Sequence, residues 1–154
     1  MLQFRHDFPD CYHQPVPRTV EQRHLPRELL DRASLRHGEY AWPVTDIPLV
    51  IETVRRANLA NVGGQLQFRF HDATICECYW VEVDTYKVVP QSLSWNERVA
   101  QTAAAALAGF LSISEKYDFL EQGRCFTKIV GEEARGLNLQ EAMCFVWYVD
   151  AEPG

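Results

Sequence analysis

Cys76 and Cys78 stand one residue apart, and two thiolates that close together can bind zinc. Zinc ligands, however, usually have two to four residues between them and a second ligand pair, and neither accompanies this pair. On a strand the one-residue gap puts both thiols on the same face, so they read as core cysteines, among the most buried of residue types. His6, Cys11 and His13 lie in a polar lead-in without ligand spacing and read as solvated residues. No cysteine follows a glycine-rich turn or begins a capped helix, where a thiolate would be stabilised, so the sequence does not point to a Cys/His nucleophile. Three carboxylates remain. Glu77, Glu82 and Asp84 sit on or just after one strand, and such groups can move protons or hold a divalent cation if they converge in a pocket. Gly63-Gly64 lacks the third glycine of a dinucleotide loop and reads as a bend ahead of a strand. The sequence thus predicts no metal site, no cofactor and no catalytic residue.

The chain that must position these residues is 154 residues long and 47% hydrophobic, enough for one core. One domain is expected over 1–154, with 1–17 as an irregular N-terminal arm lacking any apolar period. No run approaches the roughly 18 apolar residues of a membrane span, and the start lacks the apolar core of a secretory signal. Five cysteines, an odd and scattered count, do not form a disulfide framework. These features predict a soluble, cytoplasmic protein with no membrane partner. The formal net charge of −6 argues against nucleic acid, whose binding rests on neutralised phosphates, and favours a basic protein partner.

Along the chain, Pro26 ahead of good helix formers predicts a short helix over 26–35 that Gly38 ends. Residues 39–44 then read as an extended piece limited by Pro43. Ile47, Val50, Ile51, Val54 and Ala57 recur at helical spacing after a Thr45 or Asp46 cap, and Asn58 suits the left-handed position that closes that helix. Ser94-x-x-Glu97 is a capping box, opening a helix placed at 95–111 with Trp95, Val99, Ala103, Ala106, Leu107 and Phe110 on one stripe. A second short helix is expected near 115–122, ending at Gly123. Arg124 to Asn138 reads as a helix around 126–134 or as a loop. Met143 to Val149 is apolar on both alternations, as in a strand covered on both faces.

Leu66, Phe68 and Phe70 alternate with Gln65, Gln67 and Arg69, which makes a strand with one dry face. A three-residue loop at 72–74 pairs Phe70, Phe68 and Leu66 with Cys76, Cys78 and Trp80. It also sets Arg69 opposite Glu77 and Gln67 opposite Tyr79, leaving Glu77 in an ordinary ion pair. The expected fold class is α+β, a small antiparallel or mixed sheet with helices packed mainly on one face. Four tryptophans and six tyrosines are a large aromatic content for this length, and Tyr40, Tyr79 and Tyr86 are the ones expected at the surface.

The run Tyr40-Ala41-Trp42-Pro43, then Asp46-Ile47, Gly63 to Phe70 and Tyr79 to Asp84, resembles small bacterial proteins of the toxin-immunity type. The resemblance covers a third to a half of the chain and implies a cytoplasmic α+β protein that neutralises a toxin by binding it. It carries no binding residue across. From the residues themselves, Tyr79, Glu82, Asp84 and Tyr86, acids grouped with aromatics at the hairpin end, are the expected partner-binding set. Two rival readings are a small enzyme using Glu77, Glu82 and Asp84 and a structural or adaptor subunit. The enzyme reading requires the three carboxylates to converge.

Overall fold

The computed structural model describes residues 17–154, so all but the last residue of the predicted arm, with His6, Cys11 and His13, lies outside the described residues. Five strands form one antiparallel sheet in the order β1-β2-β5-β3-β4: β1 Ser34–Arg36, β2 Glu39–Trp42, β3 Ala60–Arg69, β4 Ile75–Asp84 and β5 Met143–Asp150. The helices are α1 Val20–His24, α2 Arg27–Asp31, α3 Ile47–Arg56, α4 Trp95–Lys116, α5 Phe119–Gly123, α6 Thr127–Ala134 and α7 Leu139–Ala142. The chain is therefore α+β, as its patterning predicts.

The main core joins one sheet face to the buried sides of α3 and α4. Leu66, Phe68, Cys76, Cys78, Val81, Phe145 and Trp147 meet Ile47, Val50, Val54, Ala103, Ala106 and Phe110 there. β5 is central and covered on both faces, which explains its unbroken apolar run. A smaller cluster of Ala41, Cys144 and Val146 lies on the second face. Only Ala41 and Trp42 of β2 pair with β5, while Arg69 on β3 reaches the main chain of Ser34 and Glu39. The β1–β2 hairpin thus leans toward the β3–β4 hairpin across that second face.

Local signals set several boundaries. Ser94 and Glu97 make both bonds of the capping box, Glu97 N donating to Ser94 Oγ at 3.3 Å and Ser94 N to Glu97 Oε2 at 3.2 Å. Asn58 takes φ 60 behind α3, and Leu59 N folds back onto the Val54 carbonyl at 3.1 Å. Asp46 stands at the N-cap of α3 but spends its carboxylate on Arg32 rather than on the helix amides.

Other expectations are corrected. The helix over 26–35 stops at Asp31, because His37 and Gly38 both take positive φ and form a tight hairpin turn that pulls 34–36 into β1. α4 runs to Lys116: Ser114 Oγ donates to the Phe110 carbonyl at 2.8 Å without breaking the helix, and Ile113 packs on the core. Leu107 is exposed rather than part of the buried stripe, which Val99, Thr102, Ala103, Ala106 and Phe110 make instead. The second short helix starts later than expected, at Phe119 behind an Asp118 cap, and α6 resolves the ambiguous segment after it.

The β3–β4 register keeps the predicted faces but moves by two residues. Phe68 pairs with Cys76, Leu66 with Cys78 and Gln67 with Glu77, while Arg69 lies opposite Ile75 rather than Glu77. The loop has three residues but they are 71–73, because Ala73 takes φ 70 and Phe70 N bonds the Thr74 carbonyl at 3.0 Å. That left-handed third position is the geometry of a three-residue hairpin loop.

Candidate functional site

Gly63 and Gly64 lie inside β3, not ahead of it. Gly63 has φ 130, and a Cβ there would overlap the Val83 carbonyl oxygen, while one on Gly64 would overlap that of Val146. Only glycine lets the neighbouring strands approach this closely. Irregular pairing at Asn61/Gly63 against β5 and at Gln65/Leu66 against β4 brackets the pair. At the second site Gln65 pairs with Glu82 and Leu66 with Cys78, so Tyr79, Trp80 and Val81 bulge out of the ladder. Trp80, expected opposite Leu66, instead stacks on Phe126 and donates to Gln122 Oε1 at 2.7 Å.

Beyond the bulge, the end of β4 turns a tight corner. Asp84 Oδ1 accepts the Tyr86 amide at 3.0 Å, and Thr85 Oγ1 donates to the Asn61 carbonyl at 2.6 Å. Asn61 is fully buried and ties this corner to the core. Its Nδ2 donates to the Ile51 carbonyl at 3.2 Å, its Oδ1 accepts Trp147 Nε1 at 2.9 Å, and its amide donates to Thr102 Oγ1 at 3.0 Å. The corner is therefore held on α3, α4 and β5 at once.

Glu82, Asp84 and Tyr86 line a shallow cavity of about 210 Å³ with Val62, Gly63, Gly64, Gln65, Val83 and Tyr148. Lys87 Nζ lies 2.8 Å from Glu82 Oε1 and 4.0 Å from Asp84 Oδ2, and the Glu82 partnership raises the lysine pKa. The Tyr86 hydroxyl donates to Asp150, which, together with burial, raises its pKa. Burial first, and then the bond from its hydroxyl to Glu39, raise the Tyr148 pKa. Tyr79 lies apart from this cavity, in the bulge, 69% exposed and edge-on to Trp80. Tyr86 is 48% exposed, whereas Tyr40 is buried at 5% and stacks on Trp42, correcting its surface expectation.

Glu77 does not join Glu82 and Asp84. It lies on the other side of the bulge and accepts Gln67 Nε2 at 3.3 Å. Arg69, its expected partner, instead bonds Gln67, Ser34 and Glu39.

Burial pushes the Cys78 thiol up to about 12 and the Cys144 thiol to about 11, and raises that of Cys76, so these three are held as neutral thiols. Cys125 is exposed. Among the described residues no group of three His, Cys, Asp or Glu side chains could hold a metal ion, and no helix is long and apolar enough to cross a membrane.

The features sequence reasoning missed are the bonds of Asn61 and Thr85 and those of Arg69 to Ser34 and Glu39, which span 10 to 86 positions along the chain. An asparagine two residues ahead of a glycine pair, at the start of a strand, was the available signal for the first. In comparisons with protein-family models, curated proteins and solved structures, the chain matches none.

Proposed function

We propose that this chain is a protein-binding module of the immunity type, which neutralises a toxin by direct contact through the free edge of β4 and the corner that follows it. The observation that carries the reading is the composition of that edge. Glu77, Tyr79, Glu82 and Tyr86 are exposed along the outermost strand and its corner, and the corner is braced by buried bonds from Thr85 and Asn61. Tyrosines on a braced scaffold offer contact area at low ordering cost, and carboxylates around them steer a basic partner. The bulge at Tyr79–Val81 breaks the ladder, so the contact is made by side chains rather than by an added strand. A toxin of this class would present Lys and Arg to the edge and have its working surface covered.

The test is co-purification of the tagged full chain from its native host. The captured protein is then identified and expressed in a test strain with and without this chain. A basic protein that is toxic alone and harmless in the presence of this chain is the expected result. A captured protein that is not toxic, or whose toxicity this chain leaves unchanged, refutes the reading.

A further inference from the structure

A cationic cleft opens where the tips of the two hairpins meet. The β1–β2 tip supplies Arg36 and His37, and the β3–β4 tip supplies His71 and Ala73, around a volume of about 310 Å³. Arg69 ties the hairpins together behind it. Its Nη1 donates to the Ser34 carbonyl at 2.8 Å, to Ser34 Oγ at 2.9 Å and to the Glu39 carbonyl at 3.2 Å, and its Nε donates to Gln67 Oε1 at 3.0 Å.

Every one of these acceptors is neutral. Arg69 is only 7% exposed, makes no ion pair among the described residues, and keeps Nη2 buried without a hydrogen-bond partner. Arg36, whose cross-strand neighbour is Glu39, also has a buried Nη1 without a hydrogen-bond partner. The Arg69 pKa is lowered, by burial first and then by the neighbouring Arg36 charge, while Cys144 and Glu39 act in the opposite sense. Of the acids nearby, Glu39 lies opposite Arg36 and Asp72 is held by other groups. Glu39 accepts the Tyr148 hydroxyl at 2.8 Å, and Asp72, the acid at the β3–β4 tip, accepts Lys128 and the Thr74 amide. In a protein with formal net charge −6, two neighbouring arginines that have one acid, Glu39, close to both and form no ion pair with it stand out. Buried charge is costly until paired, and the guanidinium fork matches the oxygens of a phosphate or carboxylate.

We propose that this cleft binds a phosphate-type oxyanion, with Arg36 as the direct ligand, His37 and His71 on its walls, and Arg69 as the buried charge that positions the β1–β2 tip. The volume exceeds that of the bare ion, so a small phosphomonoester fits as well as free phosphate does.

The test is calorimetric titration of the full chain with inorganic phosphate and, separately, with glycerol 2-phosphate at constant ionic strength, while side-chain NMR follows the His37 and His71 imidazoles. Saturable binding of either ligand that moves both imidazole signals supports the proposal, and the tighter of the two identifies the source as free phosphate or a phosphomonoester. Arg36→Gln should weaken that binding by about ten-fold or more, as loss of a charge-assisted bond implies. His71→Ala, in an exposed loop, provides a second variant should Arg36→Gln unfold, and it should also weaken binding. Absence of saturable binding by both ligands, or binding that neither substitution changes in folded protein, overturns the proposal.

Discussion

Replacing Asn61 by alanine should be among the most damaging polar substitutions in the chain. The side chain is fully buried and makes two hydrogen bonds, to the Ile51 carbonyl and from Trp147 Nε1. Truncation leaves the Trp147 indole N–H buried and unpaired, at a cost of about 1–3 kcal/mol. Loss of the Ile51 bond costs about 1 kcal/mol, and the small void adds about 1 kcal/mol. The total is about 3–5 kcal/mol, a large part of the 5–15 kcal/mol typical of a domain. The main-chain bonds of residue 61 to Thr102 and Thr85 survive, so the fold should remain while its stability falls. Urea unfolding should show a lower midpoint at unchanged slope. Because the main penalty is the orphaned indole, Trp147→Phe in the same background should be less than additive, with a coupling of about 1–2 kcal/mol. A loss below about 0.5 kcal/mol for Asn61→Ala, or strict additivity with Trp147→Phe, would refute the claim that this network braces the β4 corner.

Further outcomes follow from the same structure. Gly64→Ala should cost about 3 kcal/mol, because the added methyl meets a main-chain oxygen that cannot swing aside, as urea midpoints would show. Ser94→Ala should cost about 1 kcal/mol through the lost cap of α4, and an unchanged midpoint would contradict the cap's role. Peptide mapping after brief treatment with a thiol reagent should find Cys125 modified and Cys76, Cys78 and Cys144 protected until unfolding. The raised thiol pKa values also set an alkaline trend. Thiols whose ordinary value is 9.0 ionise in the unfolded chain first, so their stabilising contribution is complete below pH 9 and is lost as the pH rises toward about 11–12. Urea midpoints should therefore fall above pH 9, and Cys144→Ala should reduce the slope of that fall.

What was legible in the sequence was what short spacing controls. The Ser94–Glu97 box, the Asn58 terminus and the two-sided burial of β5 are each written within a few residues, and all three appear as expected. The α+β class follows from them. What failed depended on backbone conformations that residue type only weakly announces. His37 and Ala73 take positive φ without being glycine, and those two turns create β1 and shift the β3–β4 register. The candidate site was half legible for the same reason. Glu82, Asp84 and Tyr86 are neighbours in sequence and share a cavity, but the bulge at Tyr79–Val81 separates Tyr79 and Glu77 from them. The contacts of Asn61 and Arg69 depend on pairings between distant strands, which local patterning does not encode.

The central claim is that the acidic, aromatic corner after β4 recognises a basic partner, and the rate of association tests it most directly. Glu82→Lys combined with Asp84→Asn changes the charge of the corner while the asparagine oxygen keeps the bond to the Tyr86 amide. Stopped-flow association of the captured partner should slow by about ten-fold at low ionic strength and lose much of its salt dependence, with the urea midpoint nearly unchanged. Association as fast and as salt-sensitive as that of the unaltered chain would place recognition elsewhere on the molecule and contradict the account.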